Sequence, residues 1–393
     1  MKIRVGVFFG GKSVEHEVSV ISGLQAYNSF DKDKYDLIPV YITKDNELYT
    51  GEAVGDIANY KNVPALLAKS TRVFCMCEQG QMQLIQYPVK KFGSSVVAQI
   101  DVAFPVVHGA NVEDGSLQGF LRHYNIPFAG CDVAASAVTM DKYVMKTVLK
   151  DNDIPVLDCV TLNAKEYERD EDAAYDKVEA KISYPVIVKP VNLGSSVGIK
   201  VAKEREELRE ALEYAFTFGP RVLVERAIIN LREINCAVLG DYEEAHASEC
   251  EEPISSDEIL SYEDKYVAGS KTGSEGMHTA KRELPADLTP QKREEIRQMA
   301  VKTFQVLNCS GVSRIDFMID KDTDRAYVNE INPIPGSLAF YLWEIMDKPY
   351  ARLLDDMVNL ALKRAREEKN VLTSFDSNIL QNANLSGAKG IKK

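Results

Sequence analysis

The sequence has no apolar run that approaches the length of a membrane-spanning helix, which takes about 20 residues. Its first residues, M-K-I-R-V-G-V-F-F-G-G, are typical of a strand that enters a loop. A signal peptide would instead show a charged region, an apolar region and a cleavage site. These absences argue against a membrane or secreted protein, and we expect a cytoplasmic location.

Positive charge is also scarce. The 393 residues contain 47 Lys and Arg against 59 Asp and Glu, which gives a formal net charge of −12. Such a protein repels nucleic acids and anionic membranes, so we expect neither as a partner. An anionic nucleotide would need local positive charge and metal ions to overcome the same repulsion.

Paired cysteines are missing as well. The 7 cysteines are scattered and odd in number, and none of them has zinc-site spacing. Cys75 and Cys77 are too close together for that pattern. We interpret all of them as reduced thiols, which are typical of the cytosol. The length of the chain predicts two or three domains.

The most informative stretch runs from Tyr184 to Gly198 and reads Y-P-V-I-V-K-P-V-N-L-G-S-S-V-G. Its β-branched run, Val186–Val188, predicts a short buried strand that ends at Lys189. A small-residue loop, 194–198, then leads into a second short apolar run. Glycines in such a loop let backbone N–H groups approach phosphates, and Lys189 adds a positive charge. On this stretch alone, an ordinary hairpin with a polar tip is an equal alternative.

The first third of the chain alternates strands and helices. Strands are predicted at Ile3–Phe9, Tyr35–Thr43 and Ile100–Val107, and helices begin at Ser13 as N-cap and at 113–119. This order predicts a parallel α/β domain, in which ligands lie beyond the carboxyl ends of strands. Glu15 and His108 lie at two such ends. Each could be structural instead, since Glu15 complements a helix dipole and His108 could be a buried hydrogen-bonding residue.

A phosphate-loop pattern, G-x-x-x-x-G-K-[ST], also matches residues Gly6 to Ser13. The intervening residues include Val7, Phe8 and Phe9. Bulky apolar side chains in succession belong in a buried strand and not in a loop whose backbone surrounds phosphates. We therefore favour a strand and keep the nucleotide-switch alternative for testing.

Other elements follow from periodicity. Helices are predicted at Ala134–Leu149, Glu204–Phe216 and Pro290–Leu307, and strands at Val222–Glu225 and Glu233–Leu239. Lys142 lies in the first of these helices, where the local pattern favours a solvated lysine. Residues 45–100 give no clear pattern. Residues 251–285 are polar and aperiodic, which is typical of a lid or of disorder, and the tail 372–393 is expected to be loose.

A second group of polar residues lies on a predicted hairpin. Its arms are S-R-I-D-F-M-I and A-Y-V-N-E-I-N-P, so Arg314 and Asp316 share one face of the first arm. Glu330 and Asn332 share one face of the second arm and lie close to opposite Asp316. Two opposed carboxylates repel each other, and a divalent cation between them would remove that repulsion. Two carboxylates with an amide oxygen suit Mg²⁺, although a solvent-facing polar hairpin is the alternative.

Several ordered motifs cover nearly the whole chain. They are G-G-K-S-V-E-H-E-V-S, H-G-A-N-V-E-D-G-S-L-Q-G, M-D-K, V-K-P-V-N-L-G-S-S-V-G, E-R-A with R-E-I-N-C-A-V-L-G, Y-E-D-K-Y, S-R-I-D-F and N-E-I-N-P-I-P-G. Together they resemble those of the D-alanine–D-alanine ligase family, within the ATP-grasp superfamily. The resemblance implies an enzyme that joins two D-amino acids at the expense of ATP, through an acyl phosphate, for peptidoglycan synthesis.

The resemblance also implies an architecture. It is an α/β protein with an N-terminal parallel α/β (pre-ATP-grasp) domain followed by a two-lobed ATP-grasp fold. We expect the N-terminal domain at 1–133, the small lobe at 134–224, the C-terminal lobe with metal site and lid at 225–370, and a loose tail at 371–393. The implied ligands are ATP, D-alanine and Mg²⁺, as two ions, with Mn²⁺ as a substitute. A homodimer is implied by the family alone.

The resemblance carries over to single residues. Lys142, Lys189, Ser195, Ser196 and Lys265 match the nucleotide and phosphate contacts, Glu225 the adenine hinge and Glu233 the ribose contact. Asp316, Glu330 and Asn332 match the metal site, and Arg314 matches the arginine that stabilises an oxyanion. Glu15, Ser195 and Tyr266 match the hydrogen-bonded group that holds the first amino acid, and His108, Gly336, Ser337 and Tyr341 complete the substrate site.

The segment after Gly336 departs from the family pattern. It reads S-L-A-F-Y-L-W and is shorter and more apolar than the family segment whose serine holds the second substrate's carboxylate. Ser337, Tyr341 or a backbone N–H would have to replace that serine. A ligase with a different acceptor is therefore an alternative to a D-alanine–D-alanine ligase, and a catalytically inactive nucleotide-binding protein is a further one.

Overall fold

A computed structural model describes residues 2–78, 81–194, 197–254, 282–372 and 374 of the chain. Its strands form three sheets of seven, four and five strands. In the described ranges, no helix is long and apolar enough to cross a membrane. The three sheets follow one another along the chain.

The first sheet has the strand order β6-β5-β4-β3-β2-β1-β7. Its strands are β1 Ile3–Gly10, β2 Tyr35–Ile42, β3 Leu48–Thr50, β4 Thr71–Glu78, β5 Gln81–Gln86, β6 Val96–Ile100 and β7 Val102–Pro105. β1 pairs in parallel with β2 and β7, and the other pairs are antiparallel. The predicted parallel sheet is thus limited to three strands, since residues 45–100 add an antiparallel extension. The helices are α1 His16–Ser29, α2 Val63–Lys69 and α3 Ser116–His123.

The start of the chain forms a strand and not a phosphate loop. Val7, Phe8 and Phe9 are completely buried in β1. The prediction of a strand here is confirmed. The following helix begins later than predicted, because Ser13 is not its N-cap. Instead, the Ser13 hydroxyl accepts a hydrogen bond from the Glu15 N–H and donates one to the His108 carbonyl.

The single helix predicted at 134–149 is wrong. The structure has two helices, α4 Val133–Met140 and α5 Lys142–Asp151, which are separated by Asp141. The Asp141 backbone is extended, and its side chain accepts hydrogen bonds from the N–H groups of Tyr143 and Val144. An N-cap of this kind starts a new helix. Lys142 becomes the first residue of α5 and is buried, not solvated.

The second sheet has the order β10-β9-β11-β8 and is antiparallel. Its strands are β8 Cys159–Asn163, β9 Val186–Pro190, β10 Lys200–Ala202 and β11 Arg221–Arg226, and its helices are α6 Ala164–Arg169, α7 Glu171–Glu179 and α8 Arg205–Phe216. The two strands predicted on either side of the glycine-containing segment are confirmed as β9 and β10. β11 crosses the proposed domain boundary at 224/225, and that division of the chain stays a proposal.

The third sheet has the order β14-β13-β12-β15-β16 and is antiparallel. Its strands are β12 Leu231–Gly240, β13 Ala245–Pro253, β14 Arg282–Glu283, β15 Gly311–Asp320 and β16 Arg325–Asn332. The helices α9 Pro290–Val306, α10 Tyr341–Glu344 and α11 Tyr350–Glu368 complete the fold. The predicted hairpin and the helix at 290 are confirmed. Both ends of the segment 251–285 form strand pairs, while its middle, 255–281, lies outside the described residues.

The C-terminal elements pack against the first sheet. Ile334, Leu338, Trp343 and Met357 belong to the same buried apolar cluster as Phe8 of β1. Hydrogen bonds across this contact connect the Arg364 guanidinium with the carbonyls of residues 128 and 130. The N-terminal sheet and the helices α10 and α11 are therefore parts of one packed core.

Candidate active site

A row of polar side chains crosses one face of the third sheet. Asn235 on β12 pairs directly with Glu251 on β13 and with Asp316 on β15. Asp316 in turn pairs directly with Glu330 on β16. Directly opposed residues point to the same face of a sheet, and so does Arg314, two residues before Asp316. The predicted placement of Arg314, Asp316 and Glu330 is confirmed.

A bulge in β16 determines which residue lies opposite Asp316. Phe317 pairs with Val328 but Asp316 pairs with Glu330, so Asn329 is the extra residue between them. In a regular hairpin, Asn329 would lie opposite Asp316 instead. The bulge therefore brings the two carboxylates together.

Arg314 and Asp316 form a two-pronged ion pair. The Arg314 Nε and Nη2 atoms donate to Asp316 Oδ1 and Oδ2 at 2.6 and 2.7 Å. Asn332 Nδ2 also donates to Asp316 Oδ2, at 3.0 Å. Burial lowers the pKa of Arg314, but the Asp316 carboxylate outweighs burial and holds that pKa well above its usual value. Arg314 is thus a fixed cation with a defined orientation.

Lys142 reaches the same face from the start of α5. Its Nζ donates to the Leu193 carbonyl at 2.6 Å and lies 3.5 Å from Glu330 Oε2. Its backbone N–H donates to the Val191 carbonyl at 3.1 Å. Lys142 therefore links the loop after β9 to the carboxylate row.

Lys189 approaches from β9 of the second sheet. Its Nζ donates to Asn329 Oδ1 at 3.2 Å and forms an ion pair with Glu225 Oε1. Glu225 Oε2 lies 2.8 Å from Lys146 Nζ. Burial raises the pKa of the Glu225 carboxyl, but Lys146 and Lys189 outweigh burial and lower it to about 2. The three side chains are all buried.

Glu15 lies where two glycine-containing loops converge. A Cβ added to Gly194 would lie 3.4 Å from Glu15 Oε2, and a Cβ added to Gly109 would lie 2.8 Å from the same atom. At position 109 only glycine allows so close an approach to the Glu15 carboxylate, whereas a Cβ at position 194 would make an ordinary van der Waals contact. Glu15 is itself buried, as a residue beyond the carboxyl end of β1.

His108 is buried, and both ring nitrogens have protein partners. Nδ1 lies 2.9 Å from the Ile334 carbonyl, so Nδ1 carries the proton, and Nε2 accepts from the Ser22 hydroxyl at 3.0 Å. Burial lowers the pKa of His108 to about 4. The neutral ring therefore connects the loop after β7 to the segment that follows β16.

Ser337 and Tyr341, the two candidate donors for the second substrate, also have protein partners. The Ser337 hydroxyl donates to Gln25 Oε1, and its backbone N–H donates to the Ser22 hydroxyl at 3.0 Å. The Tyr341 hydroxyl donates to Glu251 Oε1 at 2.7 Å. The turn after Gly336 has positive φ at residues 337, 338 and 339, with values of 48°, 55° and 49°.

The remaining predicted residues are four that the structure does not describe and Glu233. Ser195, Ser196, Lys265 and Tyr266 are outside the described residues. Glu233 is on β12, two residues before Asn235, and so lies on the same face as the carboxylate row.

Sequence reasoning missed three residues of this region. Lys146 follows Lys142 by four positions, a spacing that places both on one side of a helix, and this signal was available. Asn329 depends on the bulge, which the sequence does not show. Glu113 accepts hydrogen bonds from the N–H groups of Gly109 and Ile334 at 2.8 and 3.1 Å. Burial and the nearby Glu15 raise the pKa of Glu113 to about 8.

Comparison with known proteins gives consistent matches. A family profile described as D-ala D-ala ligase N-terminus matches residues 4–131, and one described as D-ala D-ala ligase C-terminus matches residues 148–359. A D-alanine–D-alanine ligase of Thermosipho melanesiensis is 38% identical over 380 residues, which is 96% of this chain and 98% of the relative. One of Caldicellulosiruptor bescii is 40% identical over 377 residues, with 94% and 98% covered.

Solved structures agree with these matches. The D-alanine–D-alanine ligase of Coxiella burnetii superposes with a TM-score of 0.77 at 30% identity, covering 94% of this chain and 96% of that one. The VanG D-Ala:D-Ser ligase of Enterococcus faecalis gives a TM-score of 0.75 at 29% identity, with 92% and 100% covered.

Proposed function

The chain belongs to the D-alanine–D-alanine ligase family, and we propose that it joins two D-alanine molecules at the expense of ATP. The product supplies peptidoglycan synthesis. The observation that carries this proposal is the polar face of the third sheet. There the ammonium group of Lys142 lies 3.5 Å from Glu330, which is opposite Asp316. The buried Lys189 contacts Asn329, the neighbour of Glu330.

The proposed reaction has two steps. An oxygen of the first D-alanine carboxylate takes the terminal phosphoryl group of ATP, and ADP leaves. The amine of the second D-alanine then attacks the carbonyl carbon of the acyl phosphate and loses a proton. The bond from carbon to the phosphate oxygen breaks, and inorganic phosphate leaves with its electron pair. Adding an amine to the carbonyl places negative charge on its oxygen.

The described residues suit these steps. Arg314 is a permanent, oriented cation and can stabilise the negative oxygen. Lys142 and Lys189 offer two positive charges for phosphate groups at the edge of the loop after β9. Glu15 lies against that same loop and can hold the ammonium group of the first D-alanine.

The residues predicted for Mg²⁺ fit such an ion by their chemistry. Asp316 and Glu330 are directly opposed, so a cation would remove the repulsion between their charges. With the Asn332 amide oxygen they form a set of hard oxygen ligands. Within the described ranges, no group of three His, Cys, Asp or Glu side chains is arranged to hold a metal. When bound, Mg²⁺ or Mn²⁺ would neutralise phosphate charge and polarise the transferring phosphoryl group.

Other roles are proposed from the family resemblance. Ser195, Ser196 and Lys265 contact phosphates, Tyr266 acts with Glu15 and Ser195 on the substrates, and Glu225 and Glu233 contact adenine and ribose. His108, Gly336, Ser337 and Tyr341 line the substrate site. His108 would act indirectly, because both of its ring nitrogens contact protein groups, namely the Ile334 carbonyl and the Ser22 hydroxyl.

D-alanine is proposed as the second substrate as well. The curated relatives named above are D-alanine–D-alanine ligases, and they do not favour a different acceptor. Ser337 and Tyr341 would each exchange a protein partner to bind the acceptor carboxylate. We also propose a homodimer, by family resemblance, and a cytoplasmic location, which is consistent with the free thiols of all seven cysteines.

The experiment that tests this function measures ATP hydrolysis and peptide formation with a panel of D- and L-amino acids. We expect phosphate release and D-alanyl-D-alanine with D-alanine alone, and neither with L-alanine. If phosphate release required an amino acid other than D-alanine as acceptor, and D-alanine alone gave no dipeptide, D-alanine would not be the second substrate.

A further inference from the structure

Three buried charges connect α5, β9 and β11 behind the phosphate site. Glu225 lies between Lys146, 2.8 Å from its Oε2, and Lys189, which is paired with its Oε1. The exposed fractions of the three side chains are 1% for Glu225, 2% for Lys146 and 5% for Lys189. Charges that are so deeply buried need partners, because an unpaired buried charge costs free energy of folding.

We propose that Lys146 is a positioning residue for the nucleotide, because it keeps Glu225 paired when Lys189 turns towards a phosphate. The inference rests on the proposed ATP site. Lys189 has three ammonium hydrogens, and Glu225 and Asn329 are its acceptors. A phosphate that draws Lys189 away from Glu225 would leave a buried carboxylate without a counterion if Lys146 were absent.

The charge count leads to the same conclusion. Two lysines and one carboxylate leave one net positive charge beside the phosphate site. Without Lys146, the Lys189–Glu225 pair is neutral and attracts a phosphate only weakly. With Lys146 present, Glu225 orients Lys189 without cancelling its charge. Lys146 therefore acts through Lys189 and does not need to touch the nucleotide.

The fold makes this arrangement possible. Asp141 starts α5 at Lys142, so Lys142 and Lys146 lie one turn apart on the buried side of the same helix. Lys142 reaches the loop after β9, while Lys146 reaches the end of β11. One short helix thus supplies a cation directly to the proposed phosphate site and a second cation to the residue that holds Lys189.

The test compares the affinity of a non-hydrolysable ATP analogue, with Mg²⁺, for four full-length proteins by calorimetry. They are the wild type, Lys146→Met, the charge-conserving variant Lys146→Arg, and Lys150→Met as a matched control. Lys150 is on the same helix, but its side chain is 68% exposed and pairs with Asp158. The Met substitution keeps the length of the side chain but removes its charge, whereas the Arg substitution keeps a positive charge beside Glu225.

We expect Lys146→Met to weaken analogue binding by about tenfold or more, which corresponds to about 1.4 kcal/mol. Lys146→Arg should keep most of the wild-type affinity, because its guanidinium group still pairs with Glu225. Lys150→Met should bind like the wild type, and KM for D-alanine should stay within about twofold in all variants that turn over.

Two results would overturn the inference. One is analogue binding by Lys146→Met that equals that of the wild type. The other is a Lys146→Arg variant that is folded, as judged by thermal unfolding, yet binds no better than Lys146→Met. If the wild type itself does not bind the analogue, the proposed ATP-dependent function fails, and this inference fails with it.

Discussion

At the scale of single residues, the opposed carboxylates of Asp316 and Glu330 are the most specific feature of the site. Asp316→Asn and Glu330→Gln keep the size of the side chain, so an effect on turnover would be due to the lost negative charge. We expect each change to lower kcat by about a hundredfold or more, since the negative charge that would hold Mg²⁺ is reduced. Nucleotide affinity should fall mainly in its Mg²⁺-dependent part.

Steady-state kinetics over a range of Mg²⁺ concentrations checks this prediction. Asp322→Asn is the matched control, because Asp322 is an exposed carboxylate at the turn of the same hairpin. Near-normal turnover of Glu330→Gln at ordinary Mg²⁺ would show that the hairpin is not the metal site.

His108 gives a pH-dependent prediction. Its pKa is about 4 in the folded protein, against an ordinary value of 6.5, because the ring is buried. Between these values the unfolded chain binds a proton that the folded protein does not. The free energy of unfolding should therefore fall as the pH drops from 6.5 towards 4, by up to about 3 kcal/mol from this group.

The measurement is chemical denaturation from pH 7 to pH 4 for the wild type, His108→Gln and the control His123→Gln. His123 is exposed. The His108 variant should be less stable at pH 7 but lose less stability on acidification. If the free energy of unfolding of His108→Gln depends on pH as it does in the wild type, the assignment of a neutral His108 ring is wrong.

At the scale of helices and strands, the break between α4 and α5 places Lys142 and Lys146. Asp141 caps α5 by accepting from two N–H groups at 3.0 and 3.1 Å and also pairs with Arg221. Asp141→Ala should lower the free energy of unfolding by about 1 kcal/mol and raise KM for ATP. Asp141→Asn keeps the capping oxygen and should lie closer to the wild type. Equal stability and KM in all three proteins would contradict the role of this cap.

The buried strand β1 distinguishes the ATP-grasp interpretation from the phosphate-loop alternative. Lys12 follows a buried strand, so Lys12→Ala should leave kcat and KM for ATP within about twofold of the wild type. Lys189→Ala should lose ATP binding and turnover, because Lys189 lies at the proposed phosphate site. Fluorescent ATP-analogue titration compares the two variants directly. Loss of binding in Lys12→Ala, with Lys189→Ala unaffected, would restore the phosphate-loop alternative.

Many features of the helices and strands could be predicted from the local sequence pattern. Alternation of side chains placed Arg314 and Asp316 on one face, and the apolar run of β1 predicted a strand correctly. The start of α5 was missed because the apolar periodicity continues through Asp141, and a cap depends on backbone geometry. The bulge at Asn329 and the short antiparallel strands of residues 45–100 are determined by tertiary pairing, which outweighs local propensity there.

At the scale of the whole molecule, all three sheets contribute to the proposed site. The first supplies Glu15, the second supplies Lys189, and the third supplies Arg314 with the carboxylate row. His108 donates a hydrogen bond to the Ile334 carbonyl, and Glu113 accepts one from the Ile334 N–H. These two contacts tie the first sheet to the end of β16. No single segment of the sequence predicts a site that is built from three sheets. The ordered family motifs do predict it, because they extend over nearly the whole chain.

The central claim is that this assembled site activates the carboxylate of one D-alanine with ATP and transfers the acyl group to another. The most direct test uses D-alanine labelled with ¹⁸O in its carboxylate and mass spectrometry of both products. The account predicts D-alanyl-D-alanine together with inorganic phosphate that carries one ¹⁸O atom, because the oxygen that accepts the phosphoryl group leaves with it. ADP and unlabelled phosphate without dipeptide would contradict it.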